Sequence, residues 1–143
     1  MRLWHKDLIS VLPKAQLVAQ WRELSAIAGS IQTRGTPNHI LVNQVLDYPY
    51  DHFITYAKLV RTEMTKRGYR TMDSVWNKIV ALKPDWQEIN FKDLYKDWLN
   101  GDSDLYYTIC FYNLLEKQKC GGIEDEDWKK IFDQYINRKR EIP

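Results

Sequence analysis

Covalent and metal-bound scaffolds are the first things this sequence lacks. Two cysteines in 143 residues, Cys110 and Cys120, make no disulfide framework and have no zinc-ligand spacing. The three histidines, His5, His39 and His52, show no His-Glu-x-x-His pattern, so no metal site and no cofactor are expected. No apolar run approaches the roughly 20 residues of a membrane span. The opening "MRLWHKDLIS" is charged at positions 2, 6 and 7 with no apolar stretch behind it, unlike a signal peptide. Gly-rich phosphate loops, Gly-x-Ser-x-Gly and kinase signatures are missing, as are repeats, low-complexity tracts and strand-like alternation. These absences predict a cytoplasmic protein with reduced thiols and no membrane partner.

Large aromatic side chains are plentiful, with six Trp and nine Tyr, and the simplest use for them is a core. Helical periodicity dominates. Leu17, Trp21, Leu24 and Ala28 form one stripe, predicting a helix from about Pro13 to Ala28 followed by a loop at "GSIQTRGTPN". Thr36 reads as an N-cap with Pro37 behind it, opening a short helix through Leu46. Phe53, Ala57, Val60 and Met64 mark a strong amphipathic helix ended by Gly68. Val75, Ile79 and Leu82 mark a short helix stopped before Pro84, and Phe91, Leu94, Tyr95, Trp98 and Leu99 mark another stopped by Asn100-Gly101. "LYYTICFYNLL" is apolar nearly all round, predicting a central, buried helix. Trp128, Ile131, Phe132, Tyr135 and Ile136 stripe the last helix, acidic before its start and basic at its end. The expected fold is all-α, one compact domain over residues 1–143 with six or seven helices, and not a simple up-down bundle.

Charge is uneven although the net is only +2. Residues 1–83 hold 12 Lys/Arg against 6 Asp/Glu, and residues 84–143 hold 9 against 13. A polyanion would therefore meet the N-terminal half. Within it, "TKRGYR" gathers Lys66, Arg67 and Arg70 around Tyr69; the helix dipole alone favours cations there, and so would a phosphate contact with a base stacked on the tyrosine. His5, near the basic terminus, is a candidate phosphate contact or a plain surface residue, and Arg34 is a further candidate contact. Arg22 and Glu23 sit adjacent at ~100° per residue, away from the stripe that runs through Trp21. Spacing alone makes them a solvated helix face.

Two segments resemble a known family, the phage-type pyrimidine-dimer DNA glycosylases with their bacterial relatives. "QLVAQWRELSAI" places Leu17, Ala19, Trp21, Arg22, Glu23 and Leu24 as that family places its active-site glutamate, about twenty residues from the N-terminus. "EMTKRGY", residues 63–69, is similar to the family's Glu-x-x-Lys-Arg-Gly-aromatic helix end. The opening "MRLWHKDLI" also resembles bacterial members. The likeness covers about residues 1–70. It implies a compact helical fold and a damaged or abasic double-stranded DNA substrate met by a monomer. It also implies a reaction: an N-terminal α-amine, here that of Met1, attacks C1′, expels the base as a Schiff base forms, and β-elimination cuts the strand. An α-amine suits this because it titrates near ~7.7–8.0, against ~10.4 for a lysine side chain. The resemblance gives Glu23 the catalytic carboxylate role and Arg22 a backbone contact at the lesion, with Arg2 assisting. The chain departs from the phage pattern in carrying the bulky Arg2 after Met1, Ala26 where an arginine stands, and a different C-terminal tail. Two other readings remain open: a non-enzymatic nucleic-acid-binding helical protein, and a protein-interaction module on the same scaffold.

Overall fold

The computed structural model describes residues 1–141. Five α-helices carry the fold: α1 (Lys14–Arg34), α2 (Tyr50–Lys66), α3 (Asp73–Val80), α4 (Ser103–Lys119) and α5 (Asp125–Glu141). Two 3₁₀ segments, Lys6–Val11 and Val42–Asp47, precede α1 and α2. The expected all-α architecture of six or seven helices is what forms, with no strand among the described residues. α1 packs on α2 and α3, while α4 pairs with α5, which also closes over the first 3₁₀ segment. One apolar core runs from Leu3 through Leu17, Leu24, Tyr56 and Tyr107 to Ile131.

Helix α1 runs six residues past the expected end at Ala28. Gly29 does not break it, since a mid-helix glycine costs only about 1 kcal/mol. The missing Cβ is used: Lys78 of α3 crosses there, its Nζ 2.9 Å from where a Cβ would stand. The stop is Gly35, left-handed at φ 75°, whose N–H reaches back to the Ile31 carbonyl at 2.8 Å. Thr36 then caps a turn rather than a helix, its Oγ1 accepting from the Asn38 N–H at 3.1 Å.

The expected helix over Phe91–Leu99 does not form. The segment is a string of turns in which Tyr95, Leu99 and Asn100 take φ of 50–58°. Distant side chains claim its backbone donors: the Tyr95 N–H goes to His52 Nδ1 at 3.2 Å and the Leu99 N–H to Gln44 Oε1 at 2.7 Å. Leu94, Tyr95 and Trp98 are still buried, although Phe91 is exposed, so the apolar periodicity reported most of the burial and misreported the backbone. Helix α4 also departs from expectation. Tyr106, Tyr107, Cys110, Phe111 and Leu114 are buried, but Leu105, Ile109 and Tyr112 lie on the solvent face. On α5, Ile131 is buried and Phe132 is exposed.

Candidate active site

The N-terminal segment is sewn to the core by polar side chains that apolar periodicity does not single out. Gln20 lies on the buried stripe of α1 between Leu17 and Leu24 and is fully buried. Its Nε2 donates to the Arg2 carbonyl at 2.9 Å and its Oε1 accepts from the Trp4 N–H at 2.8 Å. Flipping the amide would set donor against donor and acceptor against acceptor, so both backbone partners fix its orientation. The Tyr56 hydroxyl, from α2, donates to the Trp4 carbonyl at 2.6 Å and shares its proton with Gln20 Oε1 at 3.0 Å. Tyr106, from α4, donates to the Leu3 carbonyl. Three helices thus hold the backbone of three consecutive residues. The tyrosine hydroxyls stay neutral: burial pushes both far above the phenolic range, and for Tyr56 the nearby Glu23 carboxylate adds to it.

Glu23 follows Gln20 by one turn and shares its flank of α1. Its Oε2 lies 3.5 Å from Gln20 Nε2, so one amide touches both the Arg2 backbone and the Glu23 carboxylate. Met1 is one residue, about 3.8 Å of chain, beyond Arg2, and 53% exposed. Met1 and Glu23 make no direct ion pair, and no ion pair among the described residues includes Glu23. The carboxylate is half-exposed and uncommitted to a cation, beside a fixed N-terminal segment.

The expected cations divide into two groups. Arg22, Arg34, Lys66 and Arg70 are exposed. Arg34 stands eleven residues after Glu23, which returns it to about the same flank of α1 at ~100° per residue. Arg2 turns inward: its guanidinium lies over the Trp4 ring at 5.3 Å and its Nη1 is 3.8 Å from the buried Cys110 Sγ. Arg67 is spent on structure, bonding Glu63 at 2.9 Å, the Leu12 carbonyl at 2.7 Å and the Ser10 carbonyl at 3.2 Å.

His5 is neither a phosphate contact nor a surface residue, being only 5% exposed. Its Nδ1 accepts from the Asp7 N–H at 3.1 Å, capping the first 3₁₀ segment, and its Nε2 lies 2.8 Å from Ser103 Oγ. The order Ser103, His5, Asp7 looks like a nucleophile triad, but the tautomer forbids it. An Nδ1 that accepts leaves the proton on Nε2, which then donates to Ser103 and cannot act as its base. Burial lowers the His5 pKa to about 4, against a smaller upward pull from Asp7. His39 and His52 likewise use Nδ1 to accept backbone N–H groups of Val42 and Tyr95.

Comparison with known proteins adds one match. The family model of pyrimidine dimer DNA glycosylases fits residues 1–77, taking in the N-terminal segment, α1, α2 and the start of α3. No curated protein and no solved structure matches the chain. The fit covers more than half of the sequence and includes Gln20, Glu23 and Tyr56, so the chain belongs to the pyrimidine dimer DNA glycosylase family.

Proposed function

We propose that this protein is a DNA glycosylase with abasic-site lyase activity, using the α-amine of Met1 as nucleophile and Glu23 as its catalytic carboxylate. The observation that carries the reading is the Gln20 amide, which bonds the Arg2 carbonyl and the Trp4 N–H while lying against Glu23. A terminal amine is a poor nucleophile on a fraying chain end; a clamped segment removes that entropy before substrate arrives.

The chemistry follows from those two groups. The neutral amine attacks C1′ as the bond from C1′ to the base breaks, and the departing base takes up a proton. The attached nitrogen loses a proton and its lone pair forms the C=N bond as the C1′–O4′ bond breaks and O4′ takes up a proton, giving an iminium whose positive charge Glu23 offsets. Removal of a C2′ proton then expels the 3′ phosphate by β-elimination, and water releases the sugar from the amine. Glu23 accepts and returns protons in these steps. Arg22, Arg34 and Arg70 supply phosphate contacts, and the protein works as a cytoplasmic monomer without a cofactor. Reaching C1′ in a duplex requires the damaged site to be bent or flipped open.

Borohydride trapping on a duplex with a single abasic site tests this. An untagged protein with a free N-terminus should form a covalent adduct, and an N-acetylated sample should not. Equal trapping after acetylation, or none from the free amine, overturns the proposal.

A further inference from the structure

Two open clefts adjoin on the solvent side of α2, sharing Lys66. The first, about 570 Å³, lies between α2 and the Trp76–Trp86 pair, with Lys58 and Arg61 on its wall. The second, about 380 Å³, wraps the end of α2 toward Tyr69, Lys14 and Lys130. Six cations and only two carboxylates, Glu63 and Asp127, line the pair. Aromatic rings stand at both ends: Trp76 and Trp86 meet edge-to-face at 6.0 Å, and Tyr69 lies under the Lys14 ammonium at 5.0 Å. Between them, Lys58, Thr62 and Lys66 recur every four residues along about 12 Å of helix. Lys58 is two residues from Tyr56, about 200° of helical rotation, so the first cleft faces away from the N-terminal segment and Glu23.

We infer that these joined clefts form a track for a single-stranded nucleic-acid segment, separate from the face where the amine and Glu23 lie. Cations spaced along a groove follow a phosphodiester backbone, and half-exposed rings at the ends take the faces of unpaired bases. A duplex hides those faces in its own stack, so the tryptophans favour the single strand. Arg67 stays bound to Glu63, but the pairs of Lys58 with Glu88 at 2.7 Å and Arg61 with Asp73 lie at the surface, where such pairs are weak enough for a phosphate to displace. The inference is independent of the amine chemistry.

Fluorescence anisotropy of a short labelled oligothymidylate, titrated at several salt concentrations, tests it. Binding should weaken with salt, with a log–log slope near −0.7 per phosphate neutralised. The Lys58→Glu/Lys130→Glu variant, altered at two exposed positions, should bind at least about tenfold more weakly and with a shallower slope. Trp86→Leu, which leaves Trp76 in place, should reduce tryptophan quenching by the oligomer while keeping most of the slope. No binding by the wild type overturns the track, as does unchanged affinity in the double variant. An equal-length duplex that displaces the oligomer at equal concentration also overturns it. Borohydride trapping on the same preparations reads the amine chemistry separately, so either idea can fail alone.

Discussion

Gln20 and Glu23 stand one turn apart on α1, and the amide of the first reaches both the Arg2 carbonyl and the carboxylate of the second. Gln20→Leu would strand a buried Trp4 N–H and free the Arg2 carbonyl. It should destabilise the fold by about 2–4 kcal/mol, read by urea unfolding. Covalent trapping should fall further than the folded fraction explains, while affinity for abasic duplex holds. Trapping that tracks only the folded fraction would reduce Gln20 to a stability element.

Glu23→Gln keeps the shape and removes the charge. DNA affinity should stay within a few-fold of wild type, since no phosphate contact is lost, while strand cleavage drops by at least about 10²-fold, the lower range for a positioned proton-transfer group. Single-turnover cleavage at wild-type rate would remove Glu23 from the chemistry.

His5 makes stability depend on pH in a defined window. Its folded-state pKa, held near 4 by burial, lies below the ordinary value of about 6.5. The unfolded chain therefore binds the extra proton between those values. The stabilisation is complete above pH 6.5 and is lost as pH falls toward 4, by up to about 3 kcal/mol. His5→Asn can still cap the Asp7 N–H but has nothing to titrate. Its unfolding free energy should be flatter across pH 4–6.5 than that of wild type.

Two glycines on one helix should respond in opposite directions. Gly29→Ala meets only the far end of a lysine, which can swing away, so helix propensity should win and stability should rise by up to about 1 kcal/mol. Gly35→Ala must hold φ 75° with a side chain and should lose about 1 kcal/mol. Thermal unfolding of both variants decides it; a destabilising Gly29→Ala would mean that Lys78 is fixed in place.

Helices with long, clean periodicity were legible in the sequence. Phe53 to Met64 marked α2, and Gly68 marked its end, because burial and capping are local there. The segment from Phe91 to Leu99 was misread because its backbone obeys His52 and Gln44, which are far away in sequence. At the candidate site, Glu23 is proposed through family resemblance, whereas the residues around it were visible in another way. Gln20 and Tyr56 are polar atoms on apolar stripes, and a buried polar group must find a partner. Which partner, a carbonyl of the N-terminal segment, depends on how α1 and α2 pack.

The Leu3 carbonyl receives its hydrogen bond from a tyrosine 103 residues downstream. Chains are made at about 5–20 residues per second, so Leu3 is made roughly 5–20 s before Tyr106. Throughout that interval the segment lacks one of its three anchors. The clamp on Arg2, Leu3 and Trp4 is therefore completed late: Gln20 and Tyr56 are available at least 50 residues of synthesis before Tyr106.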